Sequence, residues 1–218
     1  MKRFLDCNSS DFSEMSGKDL LESIRKSEGR IIVCETIGVV MPMLLDVTNG
    51  ELAAAMGADM ILLNLFDVDQ PVIQGMPKVD PKETIKELKR LTGRPVGINL
   101  EPVEQSLPSM DGDNPIWEMT EGRKCTYENV KKAYEMGTDF IVLTGNPGTG
   151  VDNRAITESI KMIREHFKDR ILIISGKMHG SGILSESGEK IITKEDVSNF
   201  IEAGADIIDT AISPFGMG

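Results

Sequence analysis

The sequence predicts an α/β fold of the (β/α)8-barrel type, with about six βα units visible along 218 residues. Three observations predict it. A punctuation mark recurs six times, each copy is followed by an apolar run without alternation, and amphipathic stretches fill the intervals. Three marks read Gly57-Ala58-Asp59, Gly137-Thr138-Asp139 and Gly204-Ala205-Asp206; between them fall Gly29-Arg30, Gly93-Arg94 and Asp169-Arg170. Successive marks are 28, 36, 44, 32 and 35 residues apart, about the length of a strand, a helix and their connections.

Each element has a physical reason. A helix ends well on a residue that reaches left-handed backbone angles, which glycine does without a Cβ clash, so a strand can begin at once. The runs Ile31 to Val33, Met60 to Leu63, Val96 to Ile98, Phe140 to Leu143, Ile171 to Ile174 and Ile207 to Ile208 have the continuous apolarity of strands covered on both faces. Helices are expected over Pro81 to Leu91, Tyr127 to Met136, Ala155 to Phe167 and Lys194 to Ala203. Thr126, Asn153 and Thr193 stand at cap positions, and Pro81 suits a first turn.

Regular alternation implies a parallel sheet with helices outside it, and its regularity favours a barrel over an open doubly wound sheet. The chain reads as a single domain, residues 1–218, lacking the last two units of a closed barrel. That leaves a truncated form or a sheet completed by a partner. An open apolar edge would invite association, so a homo-oligomer is expected.

Charge and composition narrow the function classes. A net charge of -11 disfavours nucleic acid and anionic membrane surfaces, which call for clustered Lys and Arg. No apolar run reaches the ~18 residues of a membrane span, and the acidic start is unlike a secretion signal; the expected location is cytoplasmic. Cys7, Cys34 and Cys125 are too scattered for disulfides or zinc. Among thirteen methionines, Met41, Met43, Met56, Met60 and Met178 are expected to fill the core.

In barrels, ligands bind where strands end. Glu35 and Thr36 follow the first run; Asn64, Asp67 and Asp69 the second; Asn99 and Glu101 the third; Thr144, Gly145 and Asn146 the fourth; Lys177 and His179 the fifth; and Asp209 the sixth. Glu35, Asp67 and Glu101, or Asp209 in place of Asp67, have the oxygen chemistry to hold Mg2+. Alternatively, one desolvated carboxylate acts as general base. Lys177, directly after an apolar strand, suits a Schiff base or an anion contact, with His179 or Glu35 carrying a proton. Gly145 to Gly150, with Asn146, Gly148 and Gly150, offers a glycine-rich turn before a helix, suited to an anion. Residues Glu101 to Thr126, including Trp117, form a long insertion with the character of a lid. A second polar insertion runs from Gly180 to Thr193.

Cys34-Glu35-Thr36, Gly57 to Asp67, Gly97 to Pro102, Thr144 to Gly150 and Gly176 to His179 together resemble an uncharacterised bacterial TIM-barrel family. That family is related to phosphoenolpyruvate-mutase-like and phosphate-binding barrels. The resemblance extends to about residue 205 and implies a barrel without transferring a reaction. Some members carry a haloacid-dehalogenase-like hydrolase label, whose Asp-x-Asp signature Asp67 and Asp69 match in part; Pro71 departs from it. The tail Glu202 to Phe215 is similar to biotin-dependent carboxyltransferase barrels, but Lys177-Met178-His179 replaces their His-x-His metal pair.

The reading is an enzyme acting on a small anionic metabolite, a phosphorylated sugar or keto acid, by lyase or isomerase chemistry next to a carbonyl. Lys177, His179 and Glu35 would be catalytic, and Asn64, Asn99, Asn146, Gly148, Gly150 and Asp209 would bind substrate. A divalent-metal-dependent hydrolase and a non-catalytic binding or assembly protein are the alternatives.

Overall fold

Three of the six marks act as clamps at the amino ends of the strands. In the computed structural model, which describes residues 1–103, 119–144, 151–176 and 194–209, Asp59, Asp139 and Asp206 make the same pair of bonds. Each donates its backbone N–H to the carbonyl of Ile32, Val96 and Ile173 respectively, all at 2.9 Å. Each also accepts the N–H of that same residue on its carboxylate, at 2.8 Å. The Gly-x-Asp mark therefore ties each even-numbered strand to the odd-numbered strand before it. Asp139 also meets Lys89 at 2.7 Å, and Asp206 pairs with Arg164.

The strands are β1 (Val33–Ile37), β2 (Met60–Asn64), β3 (Val96–Asn99), β4 (Phe140–Leu143), β5 (Leu172–Gly176) and β6 (Ile207–Asp209). They pair in parallel in chain order, β1 to β6, so the described sheet is six strands of a barrel with two edges. The helices are α1 (Ser9–Ser13), α2 (Gly17–Arg25), α3 (Asn49–Ala55), α4 (Thr84–Thr92), α5 (Tyr127–Glu135), α6 (Asn153–Phe167) and α7 (Lys194–Ala203). None among the described residues is long and apolar enough to cross a membrane.

The marks behave as their chemistry requires. Gly29, Gly57, Gly93, Gly137 and Gly204 all have positive φ, and at the sixth mark, where no glycine stands, Lys168 takes φ +53°. Thr126 caps α5 through the Asn129 N–H, and Asp80 precedes Pro81 as the cap of a short 3-10 turn leading into α4. One cap shifts: Asp152, rather than Asn153, accepts the Ala155 N–H and starts α6. The carboxylate one residue earlier makes the 2.6 Å bond. Thr193 lies outside the described residues.

Side-chain alternation splits the strands between two cores. Ile61, Leu63, Ile98, Leu100, Ile141, Leu143 and Ile173 face outward into a core shared with Ile85, Leu88, Val130, Ile156, Ile160 and Phe200. Met60, Phe140, Val142, Leu172 and Ile174 face the concave side, where Phe4, Phe12 and Leu20 of the amino-terminal segment cover them. Phe140 fits there because Gly97 has no side chain; a Cβ would stand 2.3 Å from its ring.

The methionine expectation divides. Met60 is buried, whereas Met41, Met43 and Met56 are 75%, 80% and 81% exposed. Met41 and Met43 sit in the loop after β1, and Met56 at the end of α3. Met178 lies outside the described residues.

Candidate functional site

The alternation that sends Met60, Val142 and Ile174 to the concave side also decides which polar residues reach it at the carboxyl ends. Continuing the period of two, that side carries Glu35, Asn64, Asn99, Thr144, Gly176 and Asp209, one from each strand or its first following residue. The apolar concave core thus ends in a polar layer.

Four of the six are joined. Thr144 Oγ1 donates to Asn99 Oδ1 at 2.9 Å. Asn99 Nδ2 donates to Asn64 Oδ1 at 3.4 Å, and Asn64 Nδ2 donates to Glu35 Oε1 at 2.5 Å. Every donor points toward β1, so the bonds polarise one another and converge on the Glu35 carboxylate. The direction is anchored by the backbone: Asn64 Oδ1 also accepts the Leu65 N–H at 2.8 Å, which turns the amide nitrogen toward Glu35. Leu65 holds φ +55° while its side chain is buried. Such a conformation costs a β-carbon-bearing residue on the order of 1–2 kcal/mol, and here it stands next to the polar row.

The two ends of the polar layer differ. Glu35 is exposed. Asp209 is half-buried, and desolvation raises its pKa above the ordinary carboxyl value. Its close fit depends on Gly176: a Cβ there would lie 2.0 Å from the Asp209 carbonyl oxygen. A hydrogen-bonded carboxylate at one end and a carboxyl that keeps its proton to higher pH at the other are the ingredients of acid–base chemistry.

Glu101 and Asp67 serve other ends. Glu101 is 1% exposed and meets Arg123 at 2.5 Å. Burial raises its pKa, and the guanidinium opposes that shift. Its second oxygen is buried with no hydrogen bond among the described residues. Asp67 Oδ1 accepts the Asp69 and Gln70 N–H groups at 2.7 and 3.2 Å, and Asp69 pairs with Lys132 at 2.5 Å. That turn presses on Gly122, where a Cβ would stand 1.8 Å from Asp67 Oδ1. The loop after β2 thereby supports the segment that brings Arg123 to Glu101.

The acids expected to share Mg2+ are therefore committed separately: Glu35 to Asn64, Asp67 to its own turn and Glu101 to Arg123. Among the described residues no group of three or more His, Cys, Asp or Glu side chains is disposed to hold a metal, and the donor set does not fit one. Of the Asp-x-Asp pair of the hydrolase reading, Asp67 holds this turn and Asp69 the ion pair with Lys132.

Lys177, His179, Asn146, Gly148 and Gly150 lie outside the described residues, as do Trp117 and the insertion from Gly180 to Thr193. The strand-end reading includes Thr144 without giving it a role, and it leaves out Arg123 and Gly176. The role of Thr144 follows from carrying the strand period one residue past β4. Arg123 carries no local signal, since its partner is 22 residues away.

The chain belongs to the family described as domain of unknown function DUF7916, whose model matches residues 5–214. No curated protein matches it in sequence. Among solved structures it is similar to 2,3-dimethylmalate lyase, a PEP mutase/isocitrate lyase superfamily member. There the identity is 13% and the TM-score 0.50, with 91% of this chain and 64% of the lyase covered. The chain thus spans less than two thirds of that enzyme's length. The aldolase QR15 aligns at 18% identity and TM-score 0.44, covering 88% of this chain and 73% of its own. A candidate phosphonomutase from Burkholderia cenocepacia J2315 aligns at 16% and 0.47, covering 83% and 68%. At these identities the lyase likeness is one of fold, a TIM-barrel architecture.

Proposed function

We propose that this member of the DUF7916 family is an enzyme of lyase or isomerase type, acting on a small anionic metabolite such as a keto acid or phosphorylated sugar. It would move a proton at a carbon next to a carbonyl. The observation that carries the reading is the row from Thr144 through Asn99 and Asn64 to Glu35. A structural rim has no need to align three side-chain donors in a chain whose last bond ends on an exposed carboxylate, at the end of a barrel where ligands bind.

In this reading Glu35 takes the proton, held in place by Asn64. Asn64, Asn99 and Asp209 contact the substrate. Lys177, next in the chain after Gly176 at the end of β5, polarises the carbonyl or forms a Schiff base with it, with His179 as a second proton carrier. Asn146, Gly148 and Gly150 would receive the anionic group. No step is routed through a metal, because the described acids do not gather around one. The separate commitments of Asp67 and Asp69 likewise leave a metal-dependent hydrolase with less support.

The test is hydrogen exchange from D2O into a panel of 2-keto acids and phosphorylated ketoses, followed by NMR. At least one compound should exchange. Glu35→Gln should slow that exchange by about 10²-fold or more, the usual contribution of a positioned base, while the protein stays folded. Exchange with none of the panel, or undiminished exchange by the variant, would count against the reading. The lysine role is tested by borohydride trapping of a keto acid, with an adduct in the wild type and none in Lys177→Ala.

A further inference from the structure

We propose that Thr144 is a positioning residue for Glu35: acting through Asn99 and Asn64, it fixes which way round their side-chain amides stand. This role rests on the reading of Glu35 as the group that takes the proton, and it names the residue at the far end of the row that keeps Glu35's partner in order. Thr144 is 5% exposed and Asn99 6%. Neither is a surface residue that water could serve instead.

The two ends of a carboxamide have nearly the same shape but opposite character, since the oxygen accepts and the nitrogen donates. A row of amides can therefore run in either direction unless a group of fixed character sets it. Leu65 supplies that group. Its backbone N–H can only donate, and it donates to Asn64 Oδ1 at 2.8 Å. The amide nitrogen of Asn64 is thereby left to face Glu35 Oε1, at 2.5 Å. Of the four residues other than glycine with positive φ among the described residues, Leu65 alone follows a strand directly. The left-handed turn that brings this N–H to Asn64 is unfavourable for leucine.

The second lone pair of Asn64 Oδ1 takes Asn99 Nδ2 at 3.4 Å, a long bond that by itself holds Asn99 loosely. Asn99 Oδ1 then calls for a donor. A hydroxyl rotates to whichever role its partner needs, and Thr144 Oγ1 donates at 2.9 Å. This is the shorter of the two side-chain bonds that Asn99 makes among the described residues. Without it, a buried oxygen is left with no donor, which costs more than an ordinary hydrogen bond contributes. Asn99 is then free to leave the row, and the orientation of Asn64 toward Glu35 rests on Leu65 alone.

Valine has the shape of threonine without the hydroxyl, so it separates positioning from packing. In NMR, the Glu35 carboxyl carbon and Asn64 side-chain amide signals, assigned through Glu35→Gln and Asn64→Asp, should shift in Thr144→Val and return in Thr144→Ser. With a keto acid or ketose that the wild type exchanges in D2O, Thr144→Val should lower the maximal rate by about 10-fold at unchanged KM, short of the ~10²-fold that a full misplacement costs. Thr144→Ser should restore that rate. Glu35 and Asn64 signals that do not respond to Thr144→Val overturn the proposal, as does a serine variant that behaves like the valine one. An effect on KM alone overturns it too. Should Thr144→Val not fold, Thr144→Cys, whose thiol is a weak donor, takes its place, with the same overturning results. If the wild type exchanges no compound while the signals respond as stated, the catalytic reading falls and the positioning of Glu35 by Thr144 stands.

Discussion

The two ends of the same six strands use acidic side chains in opposite ways. At the amino ends, Asp59, Asp139 and Asp206 are bound into the backbone of the neighbouring strand, and two of them also meet a cation. At the carboxyl ends, Glu35 and Asp209 stand at the termini of a polar layer on the concave side. One accepts a side-chain amide, and the other has its pKa raised by burial. The lesson is that an acid's role here is set by what it is bonded to. Acids at one end satisfy backbone donors and hold the sheet; Glu35 and Asp209 at the other make no such backbone clamp among the described residues.

The comparison is tested hardest where it has an exception, the buried Glu101–Arg123 pair near the carboxyl ends. Arg123→Met should destabilise the protein by about 3–5 kcal/mol, because it strands a buried carboxylate; urea unfolding measures it. The double change Glu101→Gln, Arg123→Met should cost less than the single one. A single variant as stable as the wild type would show that the pair is not structural.

The amino-terminal clamps come next. Asp139→Ala removes a charge-assisted bond to Val96 and leaves Lys89 without its carboxylate. A loss of about 1.5–3 kcal/mol is expected, the worth of a hydrogen bond to a charged group, with little effect on any activity found at the other end. A clamp variant that unfolded normally but lost activity would reverse the assignment of the two ends.

Asn99→Ala should give the complementary result. Its stability cost is about 0.5–1.5 kcal/mol, the net worth of an ordinary hydrogen bond, because Thr144 and Asn64 lose a shared partner. In the D2O assay, however, exchange should fall together with that of Glu35→Gln.

The smallest effect is a pH dependence at Asp209. Its folded pKa lies above the ordinary 3.8, so the folded state holds this proton where the unfolded chain has released it. Stability from this group is complete below 3.8 and is lost as pH rises through the folded pKa. Asp209→Asn abolishes that loss. Melting temperatures of variant and wild type should differ little below pH 3.8, and the variant should melt higher at neutral pH. A gap that does not change with pH would contradict the burial of Asp209.

Much of this was legible in the chain. Left-handed backbone at each mark follows from local sterics, which glycine satisfies at five marks and Lys168 at the sixth. Strands β2 to β5 fall on the apolar runs because burial on both faces leaves no alternation to hide them. β1, Val33–Ile37, begins two residues later than its apolar run and continues into the polar Glu35 and Thr36. Asn64, Asn99 and Glu35 could be named because strand ends are local features, whereas their linkage depends on register between strands.

By itself, the sequence determined the six-beat architecture and the polar character of the strand ends. Both are set by interactions within a few residues: helix termination, apolar continuity and the period of two. Only the tertiary structure decided which acids serve which end. Asp67 was drawn into a turn against Gly122 and Glu101 into a pair with Arg123, while Met41 and Met43 were left in water. Those outcomes depend on approaches between loops distant in the chain, and no local pattern of residues encodes such distances.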